Sequence, residues 1–146
     1  MEFFAKHFQE ISTTELYEIL KARYAIFTME QGIVCQDMDG IDYDCLHCFL
    51  WEDGQVLACL RAFYTDEAKT SVKIGRVLTM THGLGHGQVL MERSLAAIRQ
   101  ALPHQHLYVH SQVRASGFYE KFGFVARGEV FDEADVPHIE MVYQPS

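Results

Sequence analysis

"THGLGHGQVLMERSLAAI", residues 81–98, is the stretch that decides how this 146-residue chain is read. It follows the apolar run Ile74-Gly75-Arg76-Val77-Leu78-Thr79-Met80. Its glycines Gly83, Gly85 and Gly87 alternate just ahead of a helical periodicity (Met91, Leu95, Ile98, Leu102) that Pro103 ends. Glycine weakens a strand end and a helix start alike, so its clustering at this handover points to backbone kept bare for a close partner. Two familiar nucleotide signatures fail here. The dinucleotide fingerprint needs G-x-G-x-x-G, whereas the spacing is G-x-G-x-G, and the P-loop needs Gly-Lys-Ser/Thr, whereas Gly87 precedes Gln88 and Val89. Their shared physics survives: a strand, a glycine-rich turn and a helix start offer unpaired N–H groups and a positive dipole end to an anion such as a pyrophosphate. Spacing alone does not separate such a site from an ordinary glycine-rich turn.

The chain has the length of one domain, read as residues 1–146, and 49% hydrophobic residues, enough for a real core. No stretch approaches the roughly 20 apolar residues of a membrane span. The first residues, Met1-Glu2-Phe3-Phe4-Ala5-Lys6-His7, lack the basic segment and small-residue cleavage site of a secretory signal. Four cysteines in such a chain read as reduced thiols in a cytoplasm. A net charge of −8 argues against nucleic acid and anionic membrane as partners, since both want a basic footprint.

Around the glycine stretch, the pattern predicts strands over residues 3–8, 47–51, 56–64 and 72–80. Asp53-Gly54 forms a hairpin turn between the second and third of these. Ser12-Thr13-Thr14-Glu15 has capping-box spacing ahead of a helix carrying Leu16, Ile19, Leu20, Arg23 and Phe27 on one face. Beyond the helix that starts near Gln88, a strand over 107–110, a short helix over 116–122 closed by Gly123, and strands over 124–131 and 139–143 complete the chain. The order βα(α)βββαβαββ is that of an α/β (α+β) protein with a mixed sheet and helices on both faces.

With these elements in place, the chain resembles the GNAT acetyltransferase superfamily and its ElaA-like branch. The acetyl-CoA loop of that superfamily, Gln/Arg-x-x-Gly-x-Gly/Ala, stands here as His82-Gly83-Leu84-Gly85-His86-Gly87. Its later motif is present as Phe118-Tyr119-Glu120-Lys121-Phe122-Gly123-Phe124. The branch is carried by "RYAIFTMEQ" (23–31), "DGID" (39–42), "IGRV" (74–77) and "VPHIEM" (136–141), which with the two motifs cover nearly the whole chain in order. His82 stands where an Arg or Gln is usual, Val34-Cys35 where relatives tend to carry Pro-Tyr, and Gln112 where many members place an Asn.

The resemblance implies a central, mostly antiparallel twisted sheet with a splayed parallel pair. It also implies transfer of an acetyl group from acetyl-CoA to a primary amine by direct attack on the thioester, with no metal. Val77, Leu78 and Thr79 would pair with the pantetheine arm as an added strand would. The pyrophosphate would fall to His82, Gly83, Leu84, Gly85, His86, Gly87 and Gln88, with Gln112 close to the cofactor. Tyr119 is the implied acid that protonates the leaving sulfur, a phenol of ordinary pKa about 10 facing a thiol of about 8.5. Without the resemblance, Tyr119 reads as a core aromatic among Phe118, Phe122 and Phe124. Glu30, Glu129, Asp132, Glu133 and His138 all remain open as the base that deprotonates the amine. The acceptor is a small-molecule or peptide amine, and dimers are common on this fold. A CoA-binding protein of weak or no catalytic power is the alternative, kept open by His82. Cys45-Leu46-His47-Cys48, near Cys35, has zinc-ligand spacing, but no second pair follows and Cys48 enters an apolar strand, so a buried hydrophobe is the expectation.

Overall fold

The hydrophobic alternation of the sequence resolves into seven strands: β1 (Glu2–His7), β2 (Leu46–Glu52), β3 (Gln55–Tyr64), β4 (Ser71–Thr79), β5 (His106–Gln112), β6 (Phe124–Glu133) and β7 (Val136–Tyr143). They were obtained in a computed structural model that describes residues 1–145. The strands form one sheet in the order β1-β2-β3-β4-β5-β7-β6. β1 to β4 run antiparallel, as do β5, β7 and β6, and the parallel pair β4–β5 joins the two halves. That pair needs a crossover, which α2 (His86–Ala101) supplies.

Two helical layers bury opposite faces of the sheet. Leu46, Cys48, Leu50, Val72 and Ile74 point to the α2 side, where Leu90, Met91 and Ile98 cover them. Phe49, Cys59 and Leu78 point the other way, beneath Ile19, Ala22 and Ile26. β2 is buried on both faces, which is why it reads as a continuous apolar run rather than an alternation. On the second face the cover is α1 (Thr13–Arg23), opened by the expected capping box: Glu15 N donates to Ser12 Oγ at 3.0 Å, and Ser12 N to Glu15 Oε1 at 2.9 Å. The helix does not stop at Arg23. It widens into a π-helical segment over Tyr24–Glu30, which delivers Phe27, Thr28 and Glu30 to the middle of the sheet. α3 (Ser116–Glu120) packs Tyr119 into the α2-side core, and Gly123, at φ +97°, turns the chain into β6.

The decisive irregularity lies in β4. Opposite the single residue Leu60 of β3 stand two residues, Arg76 and Val77, and Arg76 takes a left-handed φ of +52°. This bulge turns β4 away from its other neighbour. The ladder to β5 holds only from Ser71↔His106 to Ile74↔Val109, and among the described residues no strand pairs with that edge of β4 beyond it.

A buried charge network fixes this geometry. Arg23 Nε donates to Asp37 Oδ2 at 2.8 Å and its Nη1 to Asp42 Oδ1 at 2.7 Å; Arg61 Nη1 reaches Asp42 Oδ1 at 3.0 Å and Asp39 Oδ1 at 2.9 Å; Arg76 Nε donates to Asp37 Oδ1 at 2.8 Å. Three arginines from α1, β3 and β4 thus meet three aspartates from one loop. Hydrogen bonds from Arg61 hold the Asp39 carboxyl below its ordinary range. At Asp42 burial opposes the charge, but the hydrogen bonds and charges of Arg23 and then Arg61 outweigh it, and its pKa is lowered too.

Two expectations shift at their ends. The helix after the glycines begins at His86, not Gln88. The last two strands, expected over 124–131 and 139–143, extend to meet in a tight hairpin through Ala134 and Asp135, both at positive φ (51° and 61°). Both central residues left-handed is the type I′ arrangement, normally signalled by Asn-Gly, and an Ala-Asp pair hides it.

The network sets an acid-stability prediction. The folded Asp39 and Asp42 values lie below the unfolded value of about 3.9, so the unfolded chain binds more protons. The contribution is complete above that range and is lost as pH falls below about 4. Asp42→Ala, which strands Arg23 and Arg61, should cost about 3–5 kcal/mol at neutral pH. Urea denaturation at pH 7 and pH 3 should show a smaller acid-induced loss in the variant than in the parent. Equal losses would remove Asp42 from the pH dependence.

Candidate active site

Beyond Ile74 and Val109 the separation of β4 from β5 opens a trough of about 1010 Å³ through the sheet. One wall is β4, with Gly75, Val77, Leu78 and Thr79. The π-helical segment and the loop after it contribute Phe27, Thr28, Glu30, Gln31 and Ile33. The opposite wall carries Gln112, Phe118 and Tyr119, with Glu133 and His138 from the hairpin. Gln112 Nε2 donates to Gln31 Oε1 at 3.0 Å and spans the opening from β5 to the first helix.

Seven of the twelve expected residues line this trough: Val77, Leu78, Thr79, His82, Gly87, Gln112 and Tyr119. Gly83, Leu84, Gly85, His86 and Gln88 do not. Gly83, Leu84 and Gly85 form the turn beside it, where Leu84 is 63% exposed, and His86 and Gln88 belong to the first turn of α2. Gly85 is the N-cap of α2 and offers no side-chain cap. The first backbone bond back to it comes from Val89 N, at 3.2 Å, which leaves the N–H groups of the first turn free for an external acceptor.

The three glycines owe their identity to two circumstances, and the protein itself supplies both. Gly83 and Gly85 have φ of +83° and +76°, and a Cβ on either would stand in open space. The left-handed backbone therefore asks for glycine there, whatever binds. Gly87 has ordinary backbone, but a Cβ would come within 3.2 Å of Phe118 Cε1. It is small so that α2 can approach α3. The open space over Gly83 and Gly85, beside unpaired amides at the start of a 16-residue helix, is what an anionic group fits.

Tyr119 combines both readings made of it. Its ring packs edge-to-face on Phe118 and Phe124, and the residue is 6% exposed, yet it lines the trough. Among the described residues its hydroxyl has no hydrogen-bond partner. Burial pushes the phenol well above its ordinary value, so it remains a proton donor throughout the physiological range. His82 is a surface residue, its side chain 81% exposed, with Nε2 4.0 Å from Glu30 Oε1.

Of the candidate bases, Glu30, Glu133 and His138 line the trough, whereas Glu129 and Asp132 are exposed outside it. Glu133 is bracketed: Oε1 lies 3.3 Å from His110 Nδ1, and Oε2 lies 3.5 Å from His138 Nε2. His138 Nδ1 is 2.7 Å from the Val136 carbonyl, to which it donates, so when the ring is neutral Nε2 is its acceptor nitrogen. His110 and Lys73 also line the trough and escaped notice in the sequence. Alternation around the splay places both on the α1 side of the sheet, and the pairing that sets that register is not local.

In the cysteine cluster the potential ligand atoms of Asp42, Cys45 and His47 lie within 4.8 Å of one another, but each residue is engaged within the protein. Cys45 Sγ donates to the Ile41 carbonyl, His47 Nε2 is bonded to the Asp42 carbonyl, and Asp42 is held by two arginines. Cys48 faces the opposite core. Burial pushes the thiols of Cys45, Cys48 and Cys59 up to about 12, so they stay protonated.

The same fold recurs in known proteins. The model of the acetyltransferase (GNAT) domain family matches residues 29–145. Protein ElaA of Escherichia coli K12 is 34% identical over 139 residues, covering 92% of this chain and 91% of its own. The crystal structure of E. coli ElaA superposes with a TM-score of 0.89 at 33% identity, over 99% of this chain and all of that one. An acyl-CoA N-acyltransferase from Pseudomonas aeruginosa superposes with the same TM-score at 36% identity, also over 99% of this chain and all of the other. In fold, motif order and the splay that opens its trough, the chain belongs to the GNAT acetyltransferases, in the branch of ElaA.

Proposed function

We propose that the protein transfers an acetyl group from acetyl-CoA to a primary amine, in a cytoplasm. The observation that carries this reading is the unpaired edge of β4 from Gly75 to Thr79, running directly into the unpaired amides at the start of α2. An extended pantetheine arm has the shape of an added strand, and its pyrophosphate would meet the amides over Gly83 and Gly85. An acidic protein can hold a polyanion this way because backbone N–H groups supply the attraction. Acetyl-CoA would bring an already activated thioester, so the chain has only to orient, donate and accept protons.

The roles then follow from position. Tyr119, at the wall facing β4, donates its proton to the leaving sulfur. Its raised pKa makes it a hydrogen-bond donor at every working pH, so the activity has no basic limb from this phenol. The amine arrives from the α1 side, where Glu30, Glu133 and His138 line the trough and can take its proton. A binding protein without turnover remains the second reading, supported by His82, which supplies no permanent positive charge next to the turn.

Two measurements test this. Gly85→Val places a β-branched side chain in the open space over the turn and in a left-handed backbone, costing about 1–2 kcal/mol of stability. Beyond that cost, the shift in melting temperature that CoA produces in the parent should largely vanish. A folded variant with the parental shift would move the pyrophosphate away from this turn.

Tyr119→Phe keeps the ring that packs on Phe118 and Phe124. Melting temperature and CoA affinity should hardly change, while turnover, read as free thiol released from acetyl-CoA in an amine panel, should fall on the order of 10²-fold. Parental turnover in the folded variant would make Tyr119 a packing residue. Absence of thiol release with every amine, despite CoA binding, would favour the binding protein.

A further inference from the structure

The lining of the trough holds a cation that makes no hydrogen bond or ion pair among the described residues. Lys73 stands on β4 between Phe63 of β3 and Tyr108 of β5 and lines the trough. The other cations nearby are either paired with carboxylates or exposed. Arg61 and Arg76 belong to the three-by-three network with Asp37, Asp39 and Asp42, whose charges cancel. Arg114 keeps its charge, since it donates only to the neutral Gln112 Oε1 at 2.9 Å, but it is exposed to solvent rather than half-buried.

The acidic groups facing Lys73 are Glu133 and Glu140. Glu133 lies between His110 and His138. Glu140 Oε1 lies 3.5 Å from His110 Nε2, and its Oε2 lies 3.5 Å from Arg127 Nε. Among the described residues none of them reaches the Lys73 ammonium. Burial lowers the pKa of this ammonium; the charge of Glu133 opposes that shift, Arg61 and Arg76 reinforce it, and Glu140 opposes it least. A half-buried charge at this cost, on the wall of a cavity, is relieved by an anionic ligand.

We propose that the acceptor carries an anionic group, a carboxylate or a phosphate, besides its amine, and that Lys73 binds that group. The proposal rests on the N-acyltransferase reading above. It names which end of the acceptor faces where: the anion lies on the floor beside Lys73, and the amine lies toward Gly75 and Val77. Those residues are two to four positions along the strand, on the order of 7–13 Å at Cα level, and the lysine side chain takes up part of that span. The acceptor is therefore compact, with amine and anion a few bonds apart, as in an amino acid or an amino-alkyl phosphate. Phe63, which pairs with Lys73 in register and also lines the trough, offers an apolar surface to a short aliphatic body.

The experiment compares matched amines that differ only in the anion: glycine with glycinamide, β-alanine with β-alaninamide, and O-phosphoethanolamine with ethanolamine. Thiol release from acetyl-CoA gives kcat/KM. Calorimetric titration of the same amines into CoA-bound protein reads recognition independently of turnover. In the parent, the anion-bearing member of at least one pair should be favoured by about 10- to 100-fold, the worth of a charge-assisted hydrogen bond. The first two pairs against the third separate carboxylate from phosphate.

Lys73→Met should abolish that preference and Lys73→Arg should retain most of it, with melting temperature and CoA affinity confirming that both are folded. Comparing the anion-to-neutral ratio between parent and variant cancels the intrinsic nucleophilicity of each amine. Preferential binding without transfer would sustain the Lys73 site and sink the transferase reading. Transfer to charged and neutral amines alike would do the reverse. An undiminished preference in Lys73→Met, or no binding of any anion-bearing amine, would overturn the proposal.

Discussion

The carboxylate of Asp37 lies between Arg23 and Arg76, one oxygen for each guanidinium, and the trough depends on that contact. Arg76 sits in a left-handed conformation that costs a residue with a Cβ roughly 1–2 kcal/mol, and it persists only where the surroundings outweigh that cost. Here they do so through Arg76 Nε on the Asp37 carboxylate and Nη2 on the Asp37 carbonyl, at 2.8 and 3.0 Å. With the bulge held, β4 leaves β5 after Ile74, and one edge of the strand loses its partner inside the molecule. The same aspartate ties that bulge to the end of α1, where the helix widens. The two walls of the trough on the α1 side are therefore fixed by one ion cluster rather than by apolar packing, which suits a wall that must stay open.

That cluster also explains what the sequence motifs are. Three of the segments that carry the likeness to the ElaA branch, "RYAIFTMEQ", "DGID" and "IGRV", contribute Arg23, Asp39 and Asp42, and Arg76. In sequence they lie far apart and look like unrelated signatures. In space they are one buried network, joined by Asp37 and Arg61, neither of which belongs to a motif. Charged residues in apolar surroundings were the available signal. Pairing them required knowing the register of β3 on β4, which depends on a bulge that no local pattern announces.

The fold was legible because it rests on local, repeated cues. Strand alternation, the Ser12–Glu15 capping box, the Asp53-Gly54 turn and the Gly123 helix stop all act within a few residues. The misreadings came where tertiary structure overrides such cues. Ala134-Asp135 adopts a turn its residues disfavour, and the pairing of Phe131, Asp132 and Glu133 with His138, Pro137 and Val136 holds it there. The π-helical turn at Tyr24 has no separate sequence mark either. The glycines are the subtler case. They marked the right place, but their small size is required by left-handed backbone at Gly83 and Gly85 and by Phe118 at Gly87.

The distribution of charge divides the trough into two ends with different means of attraction. Next to α2 the donors are backbone amides. They carry no formal charge, lose no conformational freedom when a ligand arrives, and suit a polyanion on a protein of net charge −8. On the floor the donor is one lysine ammonium that makes no ion pair among the described residues, with Glu133 and Glu140 set against His110, His138 and Arg127. Fixed amides accept any phosphate of suitable shape, whereas a single desolvated cation is selective, because leaving it unmatched costs more than matching it gains. Discrimination among ligands is therefore built into the floor, on the α1 side, and strength of holding into the turn. The bulge at Arg76 places the two ends on one continuous surface.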